Sequence, residues 1–298
     1  MRWTRDEGVS PDIEDRRGEG GGGGGFGFGG GGMRLGCGGI IVVGILSLIF
    51  KQNFFALFDS GSSPKAGLPP AADVTRSGPP VAQSAQDQER VKFVSFVVND
   101  VQKTWDAEFP KLGGTYQHAK LDLYRGAIRS GCGFAESAMG PLYCPEDRKV
   151  YLDLGFFDEL RSRFGAPGEF AEAYVIAHEF GHHVQTLLGI DEKMRRAQAE
   201  RPSLKNELSV RLELQADCLA GVWGHATSER NILEKGDVEA GLAAAAAVGD
   251  DRLQKAATGQ VHPESWTHGS SKARTEWFTQ GFQTGQVGAC DTFDHRAR

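Results

Sequence analysis

The stretch AYVIAHEFGHHVQTLLGI, residues 173–190, constrains the fold more than any other part of the sequence. On a helix with about 100° per residue, its apolar side chains gather into one stripe. His178 and His182 lie one turn apart beside that stripe, so their imidazoles can converge on one point. Glu179 lies at the edge of the same site, and His183 points about 100° away from His182. The pattern predicts an amphipathic helix that presents two histidines on one side.

The spacing of these histidines is typical of a metal site. In an H-E-x-x-H helix, neutral imidazoles hold Zn²⁺, the ion lowers the pKa of a bound water, and the glutamate takes the proton. His178 and His182 are therefore predicted ligands of one Zn²⁺ per chain, and Glu179 is the predicted general base. The alternative is two core or surface histidines beside an ordinary helical glutamate.

Two histidines leave zinc short of protein ligands, so a third must come from another element. A histidine at position 188 would complete one known pattern, but Leu188 occupies it. Segment 201–225 has the pattern of a following helix, and Glu213 and Asp217 share one of its faces. We predict Glu213 as the third ligand and Asp217 as the acceptor that orients a ligand histidine. A solvated acidic face is the alternative.

The net charge and the cysteines limit which partners and which compartment the sequence favours. The net charge of −6 leaves no basic surplus for phosphates, so nucleic acid is not an expected partner. Four cysteines of the folded part are too far apart for a CxxC motif and indicate disulfides in an oxidising compartment. Their preferred pairing, because the first two are neighbours in sequence, is Cys132 with Cys144 and Cys218 with Cys290. Buried free thiols in a cytosolic protein are the alternative.

The N-terminal part reads as a tail followed by an anchor. Residues 1–34 are rich in glycine and charge, and are predicted to be a disordered cytoplasmic tail. The apolar segment 35–58 has the length of one membrane span if Lys51 snorkels. Basic residues precede the span, which predicts a cytoplasmic N-terminus and an extracytoplasmic domain. A cleaved signal peptide is the alternative, although no A-x-A site follows closely.

The remaining chain reads as a linker and one domain. Ser, Pro, Gly and Ala dominate residues 59–88, the composition of a flexible linker. Residues 89–298 show globular patterns: a helix over 91–109, strands at GPLYC and VYLDLGFF, and long helices from Glu169 onwards. These patterns predict an α+β domain that is mostly helical with a small sheet.

The motifs carry a family resemblance. HEFGH at 178–182 with ELQAD at 213–217 resembles the gluzincin arrangement, in which E-x-x-x-D completes H-E-x-x-H. The whole chain is similar to a family of bacterial neutral zinc metallopeptidases, through MRW, EDRRG, GPLYCP, VYLDL, AYVIAHEFGHH, RLELQADCLAGVWGH, GDDRLQ, THGSS and CDTF. This resemblance implies a zincin-like metallopeptidase domain behind a single transmembrane helix of the bacterial cytoplasmic membrane. It also implies hydrolysis of peptide or protein substrates in the periplasm.

Further residues are candidates for catalysis. The oxyanion formed during peptide attack needs a donor besides zinc, and in gluzincins a downstream His, Tyr or Arg has this role. His268 and Arg274 are the candidates, around a helix start at Ser270 or Ser271, and Tyr143 is a further one. A turn histidine and a surface arginine are the alternative for the first two. Substrate is expected to pair with an edge strand, either GPLYC or VYLDL.

Two rival functions remain open from the sequence. The first is a membrane-anchored zinc-binding module without catalysis, although structural zinc needs no base such as Glu179. The second is a zinc hydrolase that acts on a non-peptide amide.

Overall fold

The computed structural model describes residues 1–4, 8–18, 84–136, 140–162 and 164–293. These residues form a mixed α+β fold that is mostly helical with a small sheet, which confirms the predicted class. The α-helices within them are α1 (Ala85–Glu108), α2 (Gly155–Ser162), α3 (Glu169–Leu187), α4 (Ile190–Glu200), α5 (Lys205–Glu229), α6 (Asp237–Ala247), α7 (Asp250–Thr258) and α8 (Ser271–Thr284).

The small sheet has four strands and a separate hairpin beside it. The strands are β1 (Ile13–Asp15), β2 (Lys120–Tyr124), β5 (Leu142–Cys144) and β6 (Lys149–Asp153), and the hairpin is β3 (Ala127–Ser130) with β4 (Gly133–Glu136). The sheet order is β1-β2-β6-β5, in which β5 runs antiparallel to β6 and the other pairs are parallel. Strand β5 therefore lies at one edge of the sheet and β1 at the other.

The N-terminal tail belongs to the folded domain, which corrects the prediction of disorder for its described residues. Strand β1 hydrogen-bonds to β2, and the buried Asp12 just before it accepts three side-chain hydrogen bonds. The donors are Gln102 Nε2 at 3.2 Å, His118 Nδ1 at 2.7 Å and Lys120 Nζ at 2.8 Å. A composition rich in glycine and charge predicts disorder only where no such partners exist elsewhere in the chain.

The same pairing bears on topology. A strand that shares backbone hydrogen bonds with β2 lies on the same side of any membrane as the rest of the sheet. The predicted topology puts the tail and the domain on opposite sides of the membrane, whereas this pairing favours one side for both. Among the described helices, none combines the length and apolar character that a membrane span requires. The predicted anchor, residues 35–58, lies outside the described residues.

The domain begins earlier than the linker composition predicts. Helix α1 starts at Ala85 because the Ser84 hydroxyl accepts a hydrogen bond from the Asp87 amide at 3.0 Å and caps the helix. Residues 84–88 therefore belong to the domain, and the rest of the predicted linker lies outside the described residues. The VYLDLGFF segment, predicted as one strand, is a strand followed by a helix. Strand β6 ends at Asp153, whose carboxylate accepts from the Gly155 amide at the start of α2.

Two disulfides hold elements of the domain together. Cys132 pairs with Cys144 and joins the β3–β4 hairpin to β5, and Cys218 pairs with Cys290 and joins α5 to the segment after α8. Both pairs match the preferred connectivity. Helices α5 and α8 approach so closely that a Cβ on Gly281 would lie 1.9 Å from the Cys218 carbonyl oxygen. Only glycine permits this contact.

Candidate metal centre

The site lies where α3 crosses α5. Gly181 of the H-E-F-G-H motif makes the crossing close, because a Cβ there would lie 3.0 Å from the Ala216 carbonyl oxygen. Burial of α3 on nearly all sides follows from its packing against α5, α6 and α1. The tight crossing brings Glu213 and Asp217 of α5 to the level of His178.

Three of the predicted side chains converge. Glu213 Oε2 lies 3.2 Å from His178 Nε2, and Glu213 Oε1 lies 3.6 Å from His182 Nε2. Ligand atoms about 2.0–2.1 Å from a tetrahedral ion lie about 3.3 Å apart, so these distances suit such an ion. Among the described residues, His178, His182 and Glu213 form the one cluster with metal-ligand geometry, all ligand atoms lying within 4.8 Å of one another.

Both histidines present the correct nitrogen to this cluster. His178 Nδ1–H donates to Asp217 Oδ1 at 2.9 Å, and His182 Nδ1–H donates to Gln185 Oε1 at 2.8 Å. Each acceptor fixes a proton on Nδ1, which leaves the Nε2 lone pair facing Glu213. The structure thus places Asp217 where the sequence predicts it. Gln185 was missed, and its position one turn after His182 is the only signal of it in the sequence.

Arg274 lies behind the site rather than in it. Its Nε donates to Asp217 Oδ2 at 2.8 Å, and its Nη2 donates to Asp217 Oδ1 at 2.9 Å and to the Tyr174 hydroxyl at 3.2 Å. Asp217 contacts the Nδ1 side of His178, and the buried Arg274 lies on that same side, its Nη2 3.4 Å from His178 Nδ1, whereas Glu213 lies at Nε2. The hydrogen bonds of Arg274 go to Asp217, the Tyr174 hydroxyl and the Val248 carbonyl oxygen, so a role as donor to an oxyanion stays a prediction.

The base candidate Glu179 is buried and unengaged. Its side chain belongs to the core-facing part of α3, yet within the described residues its carboxylate has no hydrogen-bond or ion-pair partner. Glu179 follows the ligand His178 directly on α3, and its charge is among the causes that raise the pKa of His182. A carboxylate with open acceptor sites beside the ligands is able to accept a proton from water.

The electrostatics of the cluster favour a cation. Burial disfavours a charged His178, but the carboxylates of Asp217 and Glu213 outweigh burial and raise its pKa to about 10. Burial likewise opposes ionisation of Glu213, yet His182 and His178 hold the pKa of this carboxyl well below its ordinary value. Two anionic side chains therefore surround the histidines, and a bound cation would replace the proton they hold.

His268 lies at the edge of the site, on a turn whose backbone amides donate to the Asp250 carboxylate. The Asp250 carboxylate accepts from the backbone amides of Thr267, His268 and Gly269 at 2.8, 2.7 and 3.0 Å. It also lies 3.3 Å from His268 Nδ1. Burial lowers the pKa of His268, but Asp250 and the charge of Glu213 outweigh burial and raise this pKa above its ordinary value. Its Nε2 has no hydrogen-bond partner among the described residues.

His183 and Tyr143 lie together away from the ligands. His183 Nε2–H donates to the Gln117 carbonyl oxygen at 2.6 Å, and the Tyr143 hydroxyl donates to His183 Nδ1 at 3.0 Å. Burial lowers the pKa of His183 to about 4, so this histidine stays neutral. His183 is not among the ligands, as predicted, and Tyr143 is engaged with it. Since Tyr143 belongs to β5, the GPLYC strand has the free edge and VYLDL is internal.

Comparisons with known proteins agree with this geometry. A family model described as "Putative neutral zinc metallopeptidase" matches residues 1–293, which include the tail strand β1. Uncharacterized protein YpfJ of Escherichia coli (strain K12) is 44% identical over 294 residues, 98% of this chain and 99% of that protein. Uncharacterized protein Rv2575 of Mycobacterium tuberculosis (strain ATCC 25618 / H37Rv) is 46% identical over 206 residues, 65% of this chain and 68% of that protein. No solved structure matches. With the ligand triad of the family motif assembled between α3 and α5, the chain belongs to the neutral zinc metallopeptidase family.

Proposed function

We propose that this protein is a zinc-dependent peptidase, with one Zn²⁺ held by His178, His182 and Glu213. The observation that carries the proposal is the convergence of these three side chains, with the unengaged Glu179 carboxylate beside them. A helix bearing the motif, packed near a sheet with an antiparallel edge strand, is also consistent with a zincin-like domain. Three protein ligands leave a fourth position for water, which distinguishes a catalytic from a structural zinc site.

Zinc in such a site lowers the pKa of a bound water and polarises a carbonyl oxygen. Glu179 takes the proton from the attacking water and delivers it to the departing amine. His178 and His182 stay in their Nδ1–H tautomers, because Asp217 and Gln185 accept those protons.

Substrate alignment is assigned to two other features. The free edge of β5 offers backbone groups to an extended peptide, which would bind as an added antiparallel strand. His268 is the proposed donor to the oxyanion: Asp250 accepts from its Nδ1–H and helps to raise the pKa of the ring, and the protonated ring carries a second proton on Nε2.

The proposed location is an oxidising compartment outside the cytoplasm. Two disulfides support this assignment, since such bonds are rare in reducing compartments. The pairing of β1 with β2 supports a tail on the same side as the domain. Attachment to the bilayer through residues 35–58 stays a prediction.

The proposal is tested by replacing the base alone. Glu179→Gln keeps the size of the side chain but removes the proton acceptor, so we expect zinc content equal to that of the parent and loss of casein cleavage. Glu172→Gln is the matched control, because Glu172 is buried on the same helix and its carboxylate lies 3.5 Å from Arg161 instead. Full activity in the Glu179 variant would contradict the mechanism. Zinc binding without cleavage of any protein by the parent would favour a non-peptide amide substrate or a non-catalytic module.

A further inference from the structure

A line of side-chain amides connects a ligand histidine with the C-terminal disulfide. His182 Nδ1–H donates to Gln185 Oε1 at 2.8 Å, and Gln185 Nε2 donates to Gln215 Oε1 at 3.1 Å. Gln215 Nε2 then donates to the backbone carbonyl oxygen of Cys290 at 2.9 Å. A second hydrogen of Gln185 Nε2 goes to the Leu212 carbonyl at 2.7 Å. The line runs across three segments: α3, α5 and the stretch after α8.

The direction of every hydrogen bond in this line is fixed. A backbone carbonyl only accepts, so Gln215 must turn its NH₂ group toward Cys290 and its oxygen toward Gln185. Gln185 must then turn its NH₂ group toward Gln215 and its oxygen toward His182. Both glutamines are buried, Gln185 completely, so water does not replace a lost partner at low cost. The carbonyl oxygens of Cys290 and Leu212 together hold the amides in this orientation, which keeps the proton of His182 on Nδ1.

The disulfide holds the Cys290 carbonyl in place. Cys290 ends a short 3₁₀ segment, Val287–Cys290, and its partner Cys218 lies one turn after Gln215 on α5. The covalent bond and the amide contact thus act on adjacent turns of one helix. Beyond the bond, Thr292 is attached to the same helix through its hydroxyl, which donates to the Arg211 carbonyl at 2.6 Å.

We propose that Gln185 and Gln215 are positioning residues for His182, and that the Cys218–Cys290 disulfide sets how tightly the site holds zinc. This inference rests on the proposed zinc site. A dithiol reductant breaks the S–S bond by supplying two electrons and two protons, yields two cysteine thiols, and itself becomes a cyclic disulfide. The Cys290 carbonyl is then freed to move, His182 loses its fixed orientation, and zinc is held more weakly.

The test measures zinc affinity of the full chain by competition with a chromophoric chelator. Gln215→Met keeps the side-chain volume but removes the hydrogen bonds, and Cys218→Ala with Cys290→Ala removes the disulfide. Each is expected to weaken zinc binding by about tenfold, the effect typical of a lost partner of a ligand. The triple variant should be no weaker than the weaker of the two, because all changes interrupt one line. Cys132→Ala with Cys144→Ala is the matched disulfide control and should leave affinity unchanged.

Different outcomes separate this inference from the proposed function. Unchanged zinc affinity in Gln215→Met, or additive losses in the triple variant, would contradict the positioning role of this line of amides while leaving the proposed zinc site intact. A parent protein that binds no zinc would overturn the proposed function and this inference together. If the cysteine variant does not fold, as judged by circular dichroism, Gln215→Met decides alone. The ¹⁵N shifts of His182 then supply a readout that a merely structural role does not move: with Gln185 held by the Leu212 carbonyl alone, we expect a smaller share of the Nδ1–H tautomer than in the parent.

Discussion

Asp217 and Gln185 orient the two ligand histidines with different chemistry. Asp217 brings a negative charge to His178, and this charge is compensated by the buried Arg274. Gln185 brings a neutral amide to His182. Gln185 therefore orients His182 without placing a further charge on its Nδ1 side, which limits the desolvation cost of assembling the site.

Substitutions of Arg274 and of His268 are expected to affect different properties: the first stability, the second kcat. Arg274→Gln leaves Asp217 buried without its cation, so we expect a loss of about 3–5 kcal/mol in the free energy of unfolding. His268→Ala should leave stability and zinc content near those of the parent but lower kcat by about 10²–10³-fold. Denaturant unfolding and steady-state kinetics check the pair. A stable but inactive Arg274 variant would favour Arg274 as the donor to the oxyanion.

Strand β1 shows how an element is held by partners that no local pattern reveals. The pKa of Asp12 is lowered, because Lys120 and His118 outweigh the effect of burial. Burial lowers the pKa of His118, but hydrogen bonds to Asp12 and Asp106 raise it above its ordinary value. His118 is 41% exposed, so solvent screens this pair and its contribution stays below about 1 kcal/mol.

The contribution of this pair depends on pH. A raised histidine pKa adds stability that is complete below 6.5 and lost as pH rises through the folded pKa. A lowered aspartate pKa adds stability above 3.8 that is lost as pH falls through the folded pKa. We therefore expect His118→Gln to destabilise the protein more at pH 5.5 than at pH 8.5, measured by urea unfolding of variant and parent. An equal difference in unfolding free energy between variant and parent at both pH values would contradict a stabilising role of charged His118.

Some helices and strands are indicated by the local sequence pattern, and others are not. Helices α3 and α5 follow from apolar periodicity, and β5 and β6 follow from two short runs around a turn. Strand β1, with the sequence IED, has no alternation of apolar residues, and its partner β2 begins over a hundred residues later. A pairing of that range depends on the whole fold.

The same limit applies inside the site. The motif spacing identifies His178, Glu179 and His182, and the acidic pattern of α5 identifies Glu213 and Asp217. Buried glutamines have no charge to mark them, and an arginine in a helix has the same letter whether it faces substrate or supports a carboxylate. Those roles are set by the crossing of helices, which a single sequence does not specify.

At the scale of the whole molecule, tail residues 1–4 and 8–18 form one folded unit with the domain. Besides β1, the first residues also pack on the domain, with the Trp3 ring 5.5 Å from the Phe93 ring of α1. The family match from residue 1 to 293 covers the same unit. The described tail residues are thus part of the domain fold, which favours one side of a membrane for both.

Labelling in cells tests this arrangement. Val9 and Val261 are exposed, so Val9→Cys and Val261→Cys, each made with Cys37→Ser, provide one accessible thiol in the tail and one in the domain. A membrane-impermeant maleimide should label both positions in intact cells or neither. Labelling of one position alone would place the tail and the domain on opposite sides and contradict the pairing of β1 with β2.

The most direct test of the account is the zinc content and zinc K-edge absorption spectrum of the purified full chain. The account predicts one zinc per chain with two imidazole nitrogens, oxygen ligands and no sulfur. Glu213→Ala should lose most of this metal, whereas Glu207→Ala, on the same helix but paired with Arg211, should keep it. A parent without zinc, or a Glu213→Ala variant with the full complement, would contradict the account.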